Sequence, residues 1–328
     1  MDVWSRRRVR QHPNSEQRAI WPCSARWWNV ATARATSDVC STSSTATWRR
    51  CSCACCRNRA NSSRRPISTD GEFFVEILGA GNGRPGAIRD TAGLLLCGGG
   101  RRVLIDCPGG IVTKLARLDV APESLAAVVI THDHVDHVYG FPHLVHALAI
   151  ERCLDPVMVL APAEALDTID RALAAYGLIG DSYPVVQGDV VDPGERSGRQ
   201  VAGMHLRTGW ARHSRPTLAL RCDIGGTSVG LTSDTLATTN LDGLFDGVHT
   251  LFHDCGGSRS TNGGWRAHHA TAHDAGVMAA RVGAQRLLLT HLPPLNGDLG
   301  ERLLEEAGAA FAGQVVLATD GERVRFDT

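Results

Sequence analysis

The sequence predicts an α/β (α+β) domain in which sheets pack on one another and are covered by helices, preceded by a segment of different character. Three observations carry this. At Gly71 the texture changes from Arg, Ser, Cys and Trp to short apolar runs bounded by Gly, Pro or Asp. Those runs come first as a cluster of strands and then alternate with helical patterns. Residues 71–328 also suffice for one large domain, since single cores run to roughly 250 residues.

Phe73–Leu78, Gly93–Leu96, Val103–Asp106 and Ala126–Thr131 read as the leading strands, and Phe141–Ile150 as a helix. Val157–Ala161 reads as a buried strand feeding the helix Pro162–Tyr176. That helix has Pro in its first turn, Leu166, Ile169, Leu173 and Tyr176 on one face, and Gly177 to stop it. Thr217–Cys222, Ser228–Thr232, His249–Phe252 and Arg286–Thr290 follow as strands, with helices at Ala272–Val282 and Leu299–Ala309. Gln314–Ala318 and Arg323–Phe326 close the chain as strands. The Gly-rich stretch Gly79-Ala-Gly-Asn-Gly-Arg84 lacks the following helix that a dinucleotide loop requires.

The 34 Lys+Arg and 34 Asp+Glu cancel, but not uniformly. Residues 1–70 hold 13 Arg and four acids, so a segment of +9 precedes a body of −9. That first segment also holds Cys23, Cys40, Cys51, Cys53, Cys55 and Cys56, with no helical or strand period. Zinc modules need two ligand pairs separated by a folded loop, and no second pair follows the run ending at Cys56. Ser5-Arg-Arg-Arg8 resembles a twin-arginine signal without its apolar region, and the Arg- and Ser-rich start resembles a transit peptide without amphipathicity. Residues 1–70 are therefore read as a disordered leader or a non-native N-terminal extension. No stretch reaches the roughly 18 apolar residues of a membrane span.

The chemistry concentrates in Thr131-His132-Asp133-His134-Val135-Asp136-His137, between the strand Ala126–Thr131 and the helix Phe141–Ile150. In an extended turn His132 and His134 share one side while Asp136 and His137 turn away, offering two adjacent metal pockets. Imidazole and carboxylate suit borderline cations such as Zn²⁺. A loop that merely contains three histidines is disfavoured, because uncompensated imidazoles and carboxylates beside a core strand are costly.

This segment resembles the HxHxDH motif of the metallo-β-lactamase superfamily, and the likeness continues in order over about Glu72 to Phe326. His213 in Ala211-Arg-His-Ser, Asp234 in Leu231-Thr-Ser-Asp, and His291 in Leu287-Leu-Leu-Thr-His match the family's later ligands. The resemblance implies a four-layer αββα metallo-β-lactamase sandwich over 71–328. It further implies a zinc on His132, His134 and His213, a second on Asp136, His137 and His291, and Asp234 shared. Mn²⁺ or Fe²⁺ are alternatives to the two Zn²⁺. Metal-bound hydroxide would be the nucleophile, and Asp106 a carboxylate supporting the ligand loop.

Two further motifs look like the ribonuclease Z branch. His253-Asp254-Cys255 resembles its HEAT motif, and His269-Ala-Thr-Ala-His-Asp-Ala275 its HST segment. Thr271 and Asp274 read as a capping box opening a helix whose Ala275, Met278, Ala279 and Val282 face the core. By resemblance, His269 paired with Asp254 donates a proton to the leaving oxygen or stabilises phosphoryl charge; the other reading of Asp254 is a surface-loop carboxylate. Asp136, His269 and Asp254 are thus the candidate catalytic residues. His143 and His146 are read as packed or solvated, His268 and His273 as surface residues, and Cys255 as a small buried side chain.

Only 75 residues separate His137 from His213, without the Gly-Pro-rich basic arm of many ribonuclease Z enzymes, and the body is acidic. Both features disfavour tRNA. The expected function is a dinuclear zinc-dependent phosphodiesterase acting on a small or nucleotide-like phosphodiester. The alternatives are hydrolysis of sulfate esters, lactones or thioesters, tRNA 3′-end endoribonuclease activity, and a non-catalytic or redox metal-binding protein. A small-molecule ester substrate, no membrane association, a homodimer as an allowed assembly and a cytoplasmic location complete the expectation. Cys97, Cys107, Cys153, Cys222 and Cys255, scattered without a CxxC, fit a reducing compartment.

Overall fold

The computed structural model describes residues 72–193, 198–260 and 268–326, all within the unit Arg64–Thr328. The leader reading of residues 1–70, with its cysteine run, lies outside the described residues.

Among the described residues two seven-stranded sheets form the centre, ordered β14-β1-β2-β3-β4-β5-β6 and β13-β12-β11-β10-β9-β8-β7. The first contains β1 (Phe74–Gly79), β2 (Gly93–Gly98), β3 (Arg101–Ile105), β4 (Leu125–Val129), β5 (Val157–Ala161), β6 (Val186–Val190) and β14 (Arg323–Arg325). The second contains β7 (Arg199–Val201), β8 (Met204–Trp210), β9 (Leu218–Ile224), β10 (Thr227–Leu231), β11 (Thr250–Asp254), β12 (Arg286–Thr290) and β13 (Gln314–Leu317). In each sheet one half is antiparallel and the other parallel: β3 through β6 in the first, β10 through β13 in the second.

Three apolar clusters separate four layers. Between the sheets, Val75, Ile77, Leu96, Val103 and Val129 meet Leu218, Leu220, Val229, Phe252 and Leu288. The outer face of the first sheet is covered by α1 (Ile111–Arg117), α3 (Phe141–Ile150) and α4 (Ala163–Ala175) through Ile111, Leu144 and Ile169. The outer face of the second is covered by α5 (Asp242–Phe245), α6 (Ala272–Arg281) and α7 (Leu299–Gly308) through Phe245, Met278 and Leu303. Covered on both faces, β1 and β2 are buried at every position and apolar except for Glu76, whose carboxylate is paired with Arg323. The described residues form the expected four-layer αββα sandwich.

Every expected strand and helix is present, with ends displaced by a residue or two. The sequence reading did not locate α1, whose N-cap Gly110 adopts φ +64°. The region between α3 and Ala211 resolves into β5, α4, β6, β7 and β8. Thr271 and Asp274 form the expected capping box on α6, and Ala275, Met278, Ala279 and Val282 are buried. No described helix is long and apolar enough to cross a membrane.

The topology places the chemistry. In open α/β sheets the carboxyl ends of parallel strands form the crevice where ligands bind. Asp106 follows β3, His132 to His137 follow β4, Asp234 follows β10, Asp254 ends β11 and His291 follows β12. His213 comes from the loop joining β8 to β9.

Candidate metal centre

After β4 the chain runs extended to His134, then turns through the one-turn helix α2 (Val135–Val138), which carries Asp136 and His137. The turn is tied to β3: Cys107 donates its N–H to His137 O at 2.7 Å and Gly140 to Cys107 O at 2.9 Å. A Cβ on Gly140 would lie 2.1 Å from Pro108 O, so this approach requires glycine.

Two groups of donor atoms result. His132, His134, His213 and Asp234 present one ligand atom each within 4.8 Å of one another, and so do Asp136, His137 and His291. His134 Nδ1 lies 3.0 Å from His132 Nε2 and 3.2 Å from His213 Nε2. Asp234 Oδ2 faces both groups: it is 3.7 and 3.8 Å from His132 and His213 Nε2, and 3.5 and 3.4 Å from His137 and His291 Nε2. The structure thus brings His132, His134 and His213 together on one side of Asp234 and Asp136, His137 and His291 together on the other.

Most of the imidazoles are aimed by an acceptor on the other nitrogen, as is usual for rings that hold metals. Asp106 Oδ2 accepts from His137 Nδ1 at 2.7 Å and from Thr131 Oγ1 at 3.0 Å. Thr131 Oγ1 in turn lies 3.0 Å from His132 Nδ1, and the His268 carbonyl lies 3.1 Å from His213 Nδ1. In each case Nε2 is left facing the centre. His134 is reversed: its Nδ1 faces the centre and its Nε2 lies 3.4 Å from Ser214 Oγ.

Asp254 is buried, which rules out the surface-loop reading of this carboxylate. Its Oδ2 accepts from Thr235 N and from His269 Nδ1, both at 2.9 Å, while Oδ1 lies 3.4 Å from His291 Nδ1. The His269 and His291 rings stack with centroids 4.8 Å apart. His269 therefore belongs to the centre, within 4.8 Å of Asp234 and His291 by its donor atom. His143, His146 and His268 are exposed and His273 is half-buried. Cys255 is buried, and burial pushes its thiol pKa up.

Electrostatics divides the centre. Burial pushes the imidazoles of His132, His134 and His213 below their ordinary range, toward the neutral form that binds cations. His137 and His291 go the other way: burial opposes, but the surrounding carboxylates, Asp234 foremost, hold His137 well above its usual value and His291 at about 10. Burial also disfavours the Asp136 and Asp234 anions, yet the neighbouring histidines hold both carboxylates well below the usual range.

The donor set fits divalent cations. Nε2 of His137 and of His291 are buried and make no hydrogen bond, a costly state for a polar atom unless an ion satisfies it. Five imidazoles with two carboxylates is chemistry for zinc and its neighbours rather than for calcium or magnesium. Strain gathers here as well: Asp106, Ser233 and His291 all adopt φ between +53° and +59°, sparsely populated for non-glycine residues and typical of functional sites.

Sequence reasoning missed contacts made through the main chain or by common residues. The His268 carbonyl, the Thr131 hydroxyl and Ser214 carry no distinctive signal. The Gly-rich loop after β1 is a further omission: Asn82 donates its N–H to Leu292 O at 3.0 Å, and a Cβ on Gly83 would lie 3.0 Å from Asp136 Oδ2.

Comparison with known proteins agrees with the fold and site. Residues 101–292 match the family model described as a beta-lactamase superfamily domain. A protein named Ribonuclease Z from Mycobacterium sp. (strain KMS) is 27% identical over 270 residues, covering 76% of this chain and 95% of that relative. The crystal structure of the metallo-beta-lactamase fold protein YhfI from Bacillus subtilis superimposes with a TM-score of 0.69 at 24% identity, over 78% of this chain and 100% of that one. Human tRNase Z, short form, gives a TM-score of 0.64 at 19% identity over the same shares.

Proposed function

The chain belongs to the beta-lactamase superfamily and is a metal-dependent hydrolase of that fold, and on this premise we propose that it hydrolyses a small or nucleotide-like phosphodiester at a centre of two zinc ions. The observation that carries the reading is the buried Asp254–His269 pair, joined at 2.9 Å beside the two donor groups. A phosphodiester needs what that pair offers, because its departing alkoxide must be protonated as the bond to phosphorus breaks. Similarity to proteins named Ribonuclease Z, whose substrate class is linked by phosphodiesters, supports the same reading.

In this reading His132, His134 and His213 would hold one cation, Asp136, His137 and His291 the other, and Asp234 would be available to both. When bound, the cations supply Lewis acidity to phosphoryl oxygens and bring the ionisation of a water toward neutral pH. Asp136 stays anionic, so it can both hold a cation and accept a hydrogen bond from the attacking water. Asp254, anionic because His269 beside it offsets the penalty of burial, fixes the proton of His269 on Nδ1. In the imidazolium form Nε2–H is then the group that protonates the leaving oxygen or stabilises phosphoryl charge. Asp106 keeps His137 in the tautomer that presents Nε2.

A second reading, cleavage of RNA, is favoured by the Ribonuclease Z relatives, which the chain matches over 95% of their length. Against it stands the acidic balance of residues 71–328, whereas RNA binding draws on Lys and Arg contacts with phosphates. The test is turnover by the zinc-loaded protein of bis-aryl phosphate, aryl sulfate, lactone, thioester and a tRNA precursor. Turnover of the phosphate diester above the others is expected. Lactone or thioester hydrolysis without phosphodiester hydrolysis overturns the proposal, and precursor cleavage alone transfers the assignment to the second reading.

A further inference from the structure

Beside the metal centre, on the side of His213, lies an open groove of about 600 Å³. One wall is the end of β8 with Trp210 and the loop to β9 with Ser214 and Arg215; the other is the start of α4 with Glu164 and the end of β6 with Val190, followed by Asp192. That volume is in the range of small-molecule sites, roughly 300–1,000 Å³.

Trp210 stands at the base of the loop, paired across the ladder with Leu218, yet it is 40% exposed. An indole offers a flat apolar face, and covering it with another aromatic plane is favourable beyond the area buried. Arg215 sits five residues further on. Its Nε lies 3.6 Å from Asp133 Oδ1 and its side chain is 55% exposed, so a guanidinium is held against the ligand loop with its end toward solvent. Ser214, between the two in the groove wall, has its hydroxyl 3.4 Å from His134 Nε2. The loop that carries the aromatic face and the cation thus also touches the centre directly.

We propose that this groove is the subsite for a nucleoside attached to the scissile phosphate, with the base stacked on Trp210 and Arg215 paired with a phosphate oxygen. This rests on the phosphodiesterase reading and deepens it. The aromatic face suits a base rather than an acyl chain, and the guanidinium suits a phosphate, which it meets in planar, forked geometry. Hydroxyl and carboxylate groups of Ser214, Glu164 and Asp192 line the remainder. They suit the ribose hydroxyls of a single nucleotide unit.

The experiment is equilibrium binding of adenosine 5′-monophosphate and of ribose 5-phosphate to the zinc-loaded full chain, its Trp210→Leu, Trp210→Phe and Arg215→Gln variants. Base stacking on an aromatic side chain should make the wild type bind adenosine monophosphate about 5- to 100-fold more tightly than ribose 5-phosphate. Trp210→Leu, which keeps apolar bulk and hence the fold, should remove that preference, and Trp210→Phe should retain most of it. Arg215→Gln should weaken both ligands by a similar factor. Equal binding of the two ligands by the wild type, or a preference that survives Trp210→Leu, overturns the subsite. A preference present and lost as described, in a protein that turns over no phosphodiester, leaves the subsite standing and removes the phosphodiesterase reading.

Discussion

His269 Nδ1 donates a hydrogen bond to Asp254 Oδ2 at 2.9 Å, and that bond decides which nitrogen of the ring faces the metal centre. The carboxylate is anionic and can only accept, so the proton on Nδ1 is fixed and Nε2 is the working atom. Removing either member should therefore cost turnover far more than binding. His269→Ala and Asp254→Asn should each lower kcat by about 10²- to 10⁴-fold, the ordinary contribution of a positioned proton donor. KM should change by less than about tenfold, since stabilisation confined to the transition state leaves substrate binding largely intact. Steady-state kinetics on one phosphodiester decides this; a rise in KM at unchanged kcat would assign the pair to binding.

The same pair sets a pH dependence. Burial pulls the His269 pKa down, and the Asp254 charge more than offsets it, so the ring titrates above its ordinary value of 6.5. An imidazolium that donates a proton is present below its pKa and lost above it, so kcat should fall as pH rises through that raised value. Asp254→Asn removes the raising charge, and the falling limb should move to lower pH. A kcat–pH profile with the limb unmoved in the variant contradicts His269 as the donor.

Asp106 lies behind His137 and Thr131 and touches no other face of the centre. Asparagine tolerates its left-handed backbone, so Asp106→Asn isolates the loss of the carboxylate. Metal affinity should fall about 10- to 100-fold, the usual cost of losing a partner that orients a ligand. Competition with a chromogenic chelator measures it. A drop in melting temperature with unchanged metal affinity would make Asp106 a structural residue only.

Gly83 adds a steric test of the loop after β1. Its added methyl would meet Asp136 Oδ2 at 3.0 Å and Cγ at 3.2 Å, while Gly83 itself is exposed. Gly83→Ala should therefore displace the carboxylate and lower kcat on the order of tenfold, because misplacement by an ångström costs about 100-fold. The melting temperature should hardly move. Unchanged kcat would show that the loop yields instead.

How legible this was in the sequence differs from element to element. β5 is bounded as expected because its apolar run lies between Pro156 and Pro162, and β12 because its three leucines lie between Arg286 and Thr290. β4 ends at Val129 rather than Thr131 because Ile130 and Thr131 stay apolar or buried after leaving the ladder, as the chain turns into the ligand loop. The helix α1 was hidden by two preceding glycines and by the β-branched Val112 and Thr113, which lower helix propensity. β6 is Val-Gln-Gly-Asp-Val, half polar because it is an edge strand exposed to solvent. At the site, His and Asp at fixed spacing are rare enough to stand out. The His268 carbonyl that aims His213 is main chain and leaves no trace in residue type, and Trp210 became meaningful only when the sheet set it beside a groove.

On the proposed reading, Asp234 would serve two cations and this chain would act as a phosphodiesterase. This reading is tested most directly by titrating zinc into chelator-stripped protein while following bis(p-nitrophenyl) phosphate hydrolysis, with Asp234→Ala in parallel. The account predicts a rate that rises with added zinc and saturates at two equivalents per chain in the wild type, and no turnover in the variant at any zinc concentration. Saturation at one equivalent, activity retained in Asp234→Ala, or no hydrolysis by the zinc-saturated wild type would contradict it.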